Sequence, residues 1–358
     1  LRILLVIYRF QYANVRWNGV LSDIFTICNS VRQGAILSGI LYSFHMNDLF
    51  RLLRSRTVGC WVNDNFHGIF GYSDDNWVLA TSASDLQVMM NTIEDYCNMH
   101  RLQFSTDPDP IKCKTKCIAF LKKERTLPKI YLCGNPLPWV TEGLHLGNHF
   151  ESKYNGMARD IKVKRAEYIS KNCELNQEFM FSHPTTRLET NKIFNTHFTG
   201  SPIWDLFCPE AVQLENSWNV SLRKMYDLPL QTHRYLVEPL SKQQHLKKIL
   251  IKRFLSFLQQ IKSSEKILPK QLLNFILKDM RSTTGSNLKR ILLLTNKANP
   301  EDITDQDINQ LVYAEMPNGN DWRVTLIQEI TDMKFGQLTI NGFSDEECEE
   351  MLQFACTS

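Results

Sequence analysis

Two adjacent acids set between two short apolar runs constrain this chain more than any other feature. Ile69-Phe70 lead into Gly71-Tyr72-Ser73-Asp74-Asp75, and Trp77-Val78-Leu79-Ala80 follow. Apolar runs on either side of a small polar cluster read as a β-hairpin with its acids at the turn. Acids at such an exposed turn can hold a divalent cation. Magnesium favours carboxylate and phosphate oxygens over an all-protein cage. The pentapeptide is therefore compatible with metal-assisted phosphoryl or nucleotidyl chemistry, and equally with a solvated Asp-Asp turn.

The rest of the chain falls into a mixed first part and a helical second part. Leu37, Ile40, Leu41, Phe44, Leu49, Leu52 and Leu53 recur at helical spacing and predict a helix over 37–54 with an apolar stripe. The hairpin at 69–80 comes next. A second amphipathic helix is predicted over 85–100, with Leu86, Met89, Met90, Ile93 and Cys97 on one face. Ser84 and Gln87 have the spacing of a capping box at its start. Two prolines between Ser105 and Pro110 break the pattern. Ile118, Phe120, Ile130 and Leu132 mark further short strands, and Gly143 to Gly147 punctuates another. From about residue 153 strands fade and helical patterns run to about 297, including the Lys-rich stretch 245–260. Boundaries are expected near 150–155 and, more softly, near 235–245.

At 358 residues the chain can bury a sizeable core in two or three domains. No run approaches the roughly 18 apolar residues of a membrane span. Ile3 to Ile7 is too short for the apolar core of a signal peptide. Ten cysteines without a CxxC pair, or a matched zinc-ligand spacing, read as reduced, buried thiols. The expected setting is intracellular, nuclear or cytoplasmic, and not secreted. Charge is unevenly placed. Residues 301–358 hold 13 Asp+Glu against 2 Lys+Arg, whereas residues 1–300 hold 39 Lys+Arg against 25 Asp+Glu. A body of net +14 with an acidic tail fits a phosphate-binding surface.

A second motif precedes the hairpin. Val31-Arg32-Gln33-Gly34-Ala35-Ile36-Leu37-Ser38 leads into a helix carrying Asn47-Asp48-Leu49. Glycine there lets backbone approach a ligand closely, and Arg and Gln beside it donate to phosphates or base edges. The order VRQGxxLS…NDL, then GYxDD, then KTK from Lys114, then GLHLG from Gly143, resembles the palm of reverse transcriptases. It is most similar to those of LINE-type (non-long-terminal-repeat) retrotransposons. Downstream, Ser201 to Asp205, Ser217 to Lys224, Leu228-Pro229 and Thr232 to Arg234 resemble the region after the palm in such elements.

That resemblance implies an α+β fold: a partial right-hand polymerase palm with fingers over 1–152, a helical thumb-like region over 153–240, and a helical extension over 241–358 with an acidic tail from about 301. It implies RNA-templated DNA synthesis by two-magnesium nucleotidyl transfer, with Mg²⁺ as cofactor and an RNA template, a DNA primer and deoxynucleotides as partners, and no membrane. By position, Asp74 is the expected metal ligand and Asp75 supports the metal. Tyr72 lies near the primer end, and Arg32, Gln33 and Gly34 contact template and nucleotide. Lys114 assists departure of pyrophosphate. Leu144, His145, Leu146 and Gly147 form the turn that grips the primer.

Three positions depart from the family pattern. Ser30 replaces a usual Gly, Gly39 a usual Pro, and Ser73 a usual Ala. A further catalytic Asp of that family, and the endonuclease domain that often accompanies it, are placed by the spacing before residue 1. The expectation is a half-built metal site, impaired catalysis and an exposed apolar sheet edge that leaves 1–150 marginally stable. A nucleic-acid-binding remnant without synthesis, or a decayed element without function, are the competing readings.

Overall fold

A computed structural model of the chain describes residues 2–9, 11–27, 35–107, 109, 111–121, 123, 125–153, 157–195, 198–233, 236–237, 241, 243–278 and 281–312. These form two compact units, one within 1–117 and 123–139, the other within 118–122 and 140–312. The expected acidic tail lies outside the described residues beyond residue 312, as does the loop 28–34.

The first unit begins with helix α1 (Arg2–Arg9) and the short strands β1 (Tyr12–Ala13), β2 (Arg16–Trp17), β3 (Val20–Leu21) and β4 (Phe25–Thr26). Helix α2 (Ser38–Ser55) follows, then β5 (Trp61–Val62), β6 (Asn65–Phe66), β7 (Ile69–Tyr72) and β8 (Asp75–Val78). After α3 (Ala83–His100) come β9 (Cys117–Ile118), β10 (Ile130–Leu132), β11 (Asn135–Leu137) and β12 (Trp139–Val140). Strands β13 (Glu142–His145) and β14 (Asn148–Glu151) belong to the second unit. Strands this short pair two by two, and no wider sheet forms among the described residues.

The core of the first unit is built where α2 and α3 meet. Met46, Leu49 and Leu53 from α2 pack with Met89, Met90, Ile93, Tyr96 and Cys97 from α3, and with Ile130, Leu132 and Leu137 from the β10–β11 hairpin. The apolar stripe of α2 is therefore buried only in its second half. Leu37, Ile40 and Phe44 are exposed, because coverage by α3 starts near His45, whose carbonyl accepts from the Tyr96 hydroxyl at 2.7 Å. The cap of α3 also differs. Ser82, not Ser84, is the N-cap, its Oγ accepting from the Asp85 amide at 3.1 Å. Gln87 turns instead to β10, donating to the Tyr131 carbonyl at 2.9 Å and accepting from its amide at 2.8 Å. A side chain that satisfies two backbone groups of a strand outcompetes a local cap.

The second unit is helical after β14: α4 (Ala158–Glu178), α5 (Pro184–Asn195), α6 (Pro209–Met225), α7 (Leu246–Ser263), α8 (Ile267–Lys278), α9 (Thr283–Thr295) and α10 (Asp305–Val312). Its core gathers Ile161, Tyr168, Phe198, Trp204, Trp218, Phe254 and Ile291. The Tyr168 and Trp218 rings stack with centroids 5.7 Å apart. Asn287 of α9 fixes the 204–206 segment, donating to the Trp204 carbonyl at 2.7 Å and accepting from the Leu206 amide at 3.2 Å. The start of the acidic region lies against the cations of this unit. Lys252 pairs with Asp305 at 2.7 Å, Lys262 with Glu301 at 2.6 Å and Lys297 with Asp307 at 3.3 Å. Apolar anchoring comes from Ile308 and Val312 of α10, both buried.

One glycine in this unit is fixed by geometry. Gly200 has φ +84°, and a Cβ there would stand 2.0 Å from Asn148 Oδ1. Gly200→Ala is expected to lower stability by roughly 1–3 kcal/mol through the left-handed backbone and the clash, read as a lower urea midpoint at unchanged slope. Burial, helped by the neighbouring Cys133 and Cys113 thiols respectively, pushes the Cys97 and Cys117 thiols of the first unit up to about 11. Their unfolded forms ionise near pH ~8.5. The contribution of these two thiols is thus fully present below that pH and lost as pH rises toward 11. Urea midpoints measured across this window should fall, and Cys97→Ser with Cys117→Ser should flatten the fall.

Candidate active site

The two acids stand at the tip of the β7–β8 hairpin, in the arrangement the sequence predicts. Ile69 pairs with Val78, Phe70 with Trp77, Gly71 with Asn76 and Tyr72 with Asp75. That register leaves a two-residue loop, Ser73-Asp74. Ser73 carries φ +56°, a conformation that glycine or asparagine enters more easily. Asp75 already belongs to β8, so the two acids differ in backbone setting.

The register also divides the side chains between two faces. Ile69, Gly71, Asn76 and Val78 share the face toward the core of the unit, where Ile69 is buried and Val78 packs against it. Phe70, Tyr72, Asp75 and Trp77 share the other face. Tyr72 there is 68% exposed. Gly71 is what lets the hairpin lie on α2. A Cβ at that position would come within 2.7 Å of both Phe50 Cζ and Asn76 Oδ1. Asn76 steadies the loop, its Nδ2 donating to the Asp74 carbonyl at 3.1 Å. Behind the loop, the Tyr42 hydroxyl of α2 has its pKa raised, first by burial and then by the negative charge of Asp74. Asp74 is thus close to α2, while Asp75 sits on the aromatic, outward face.

Both carboxylates are exposed. Their chemistry fits magnesium, which takes one or two protein carboxylates and leaves its other positions to water and phosphate. Their number does not make a closed cage, since no group of three or more His, Cys, Asp or Glu stands together among the described residues. Asp64 occupies a different turn, between β5 and β6, with φ +60°.

Lys114 lies in the first unit just after a turn at 111–112, where Cys113 and Cys117 are buried and Lys112, Lys114 and Lys116 are exposed. No hydrogen bond or ion pair joins Lys114 to Asp74 or Asp75 among the described residues. Arg32, Gln33 and Gly34 lie outside the described residues, as does Ser30. Leu144, His145, Leu146 and Gly147 belong to the second unit, in the β13–β14 hairpin. Leu144 pairs with His149 and His145 with Asn148, so Leu146-Gly147 is the loop, with φ +47° and +73°. Both leucines are exposed, Leu144 at 65% and Leu146 at 46%.

A buried polar group that the sequence does not advertise stands behind this second hairpin. Asp160 of α4 is wholly buried and accepts from the His149 amide at 2.9 Å, from Trp204 Nε1 at 2.7 Å and from Lys164 Nζ at 3.1 Å. Its partners lie 11, 44 and 4 residues away. The i,i+4 spacing of Asp160 and Lys164 is the only local signal, and it is common on solvated helices.

No helix among the described residues is long and apolar enough to cross a membrane. Among curated proteins, none matches this chain. Residues 3–131, the stretch that holds α2, the Ser73-Asp74 loop, α3 and Lys114, match the family model described as reverse transcriptase (RNA-dependent DNA polymerase), and over that stretch the chain is similar to this family.

Proposed function

We propose that the chain is a reverse transcriptase-like protein of the non-long-terminal-repeat retrotransposon type, in which Asp74 and Asp75 anchor magnesium. The observation that carries this reading is the hairpin at 69–78: a GYSDD segment, inside a stretch similar to reverse transcriptases, folded so that its two acids are presented at an exposed tip. When bound, the metal supplies positive charge to the phosphate oxygens in nucleotidyl transfer. The residues of the chain do the rest. Asp74 and Asp75 supply hard oxygen donors from different backbone settings. Tyr72, with Phe70 and Trp77 on the same face, offers an aromatic surface on which a primer-end base can stack. Lys114 supplies a mobile charge for a leaving pyrophosphate, Arg32, Gln33 and Gly34 contact template and nucleotide, and the 144–147 turn grips the primer strand.

Catalysis of this class depends on positioning and charge stabilisation. With no third acid beside Asp74 and Asp75 among the described residues, the chain taken alone binds an RNA–DNA hybrid but extends a primer poorly. The net +14 of residues 1–300 supports such binding through phosphate contacts. Part of that charge is already engaged by Glu301, Asp305 and Asp307.

Two measurements on the 358-residue chain test this reading. In a primer-extension assay with an RNA template and Mg²⁺, product should stay near background, and Asp74→Ala should leave it there. Robust product that disappears in Asp74→Ala would contradict the impairment while upholding the metal role of the hairpin. Filter or anisotropy binding to the same hybrid should be salt-dependent. Glu301→Gln with Asp305→Asn and Asp307→Asn should tighten it several-fold at low salt. The same change should steepen the salt dependence by about one unit for each further phosphate that the freed lysines neutralise. Absence of both binding and extension would sink the proposal.

A further inference from the structure

We infer that Asp160 and Lys164 are positioning residues for the 144–147 turn, holding its two exposed leucines in the attitude from which they meet a primer–template duplex. The inference rests on the reading of that turn as the primer-gripping element.

The geometry is that of a fully satisfied clamp. A wholly buried carboxylate needs donors, and Asp160 has three. A lysine ammonium has three protons to place, and Lys164 places them on Asp160 Oδ2 at 3.1 Å, on Asn148 Oδ1 at 3.1 Å and on the Thr199 carbonyl. Two links of the clamp thus end on consecutive residues, the Asn148 side chain and the His149 amide, the first two positions after the loop. The clamp does not support the hairpin generally; it seizes the strand where it leaves the turn. Gly200 is shaped for the same contact, since any side chain there would displace Asn148.

The turn itself calls for such a restraint. The β2–β3, β5–β6, β10–β11 and β13–β14 hairpins all close through two residues of positive φ. The first of the two is Asn18, Asn63, Cys133 and Leu146 respectively, and Leu146 is the bulkiest of these and the least suited to that conformation. A strained leucine persists only when its surroundings over-determine it. Yet Leu146 is exposed and packs into no core, so the restraint comes through β14. Strain held in an exposed apolar loop tip by a buried polar network is the arrangement expected of a contact element rather than of a stability element.

Asp160→Asn is the direct variant, but it leaves Lys164 buried beside a weaker acceptor and risks global loss of structure. Asn148→Ala removes the Lys164 link and also the bond that Asn148 Nδ2 donates to the Leu146 carbonyl at 3.2 Å, whereas Asn148→Asp keeps the acceptor for Lys164 and loses only that local bond. The full chain is compared for affinity to a DNA primer annealed to an RNA template, for affinity to single-stranded RNA, for amide exchange over 142–151 and for thermal melting. Asn148→Ala should speed exchange at 144–151 and weaken duplex binding about tenfold. Single-strand binding should stay near wild type, and melting should stay cooperative and fall only modestly, as one lost hydrogen bond to buried Lys164 implies; Asn148→Asp should restore exchange and duplex affinity. Leu146→Ser is the control for the turn. If Leu146→Ser weakens duplex binding while Asn148→Ala does not, the positioning role is wrong and the gripping turn stands. If Leu146→Ser has no effect on duplex binding, the gripping reading fails and this inference with it. Slow exchange in Asn148→Ala, or loss of the melt in both Asn148 variants, also overturns it.

Discussion

A carboxylate with no access to water has to be answered by donors, and in this protein that demand ties three separate pieces of chain together. Asp160 cannot be buried without the His149 amide, Trp204 Nε1 and Lys164, so the β13–β14 hairpin, α4 and the 199–204 segment are fixed by one group. Removing any one partner would leave a buried charge short of a hydrogen bond, a loss of the order of 1–3 kcal/mol. The apolar core of the second unit then grows outward from Trp204, through Phe198, Trp218 and Tyr168. A polar network of this kind adds little net stability by itself but restricts the fold to one arrangement. Here the restriction falls on the strand that leaves an exposed turn.

In the first unit the corresponding constraint is steric. Gly71 allows β7 to approach Phe50, and Ser73 accepts a left-handed backbone so that Asp74 and Asp75 emerge at the tip. The cost of that backbone is modest for serine, about 1 kcal/mol. The result is an acid pair with two different neighbourhoods: the charge of Asp74 is felt by the Tyr42 hydroxyl of α2, and Asp75 shares a face with Phe70, Tyr72 and Trp77. Chemistry that needs one direct metal donor and one supporting donor can use such an asymmetry. Under the proposed function, the aromatic face beside Asp75 is where a base would stack.

The sequence was most legible where the signal is local. Apolar runs on either side of GYSDD predict a hairpin, and the observed register has Asp74 in its loop. Helices α2 and α3 follow their periodicity to within two residues of the expected ends. Errors arose where a tertiary partner outcompeted a local rule. Ser84 and Gln87 have capping-box spacing, but Ser82 precedes them and Gln87 has a strand to bind. Ile40 and Phe44 keep helical spacing with no helix laid over them. The Asn18-Gly19 turn has the local signature of a two-residue hairpin, and Asn63-Asp64 has a weaker one. The Asp160 clamp was not legible, because its donors come from positions 149, 164 and 204 and burial alone turns an ordinary i,i+4 pair into a network.

The central claim is that the Asp74–Asp75 tip anchors a divalent cation together with a nucleotide. Electron paramagnetic resonance of Mn²⁺, titrated into the full chain with a primer–template and a deoxynucleotide, measures this without requiring turnover. The expected result is a nucleotide-dependent loss of the free Mn²⁺ signal that Asp74→Ala abolishes and Asp64→Ala leaves intact. Equal Mn²⁺ uptake by the wild-type chain and by Asp74→Ala would contradict it.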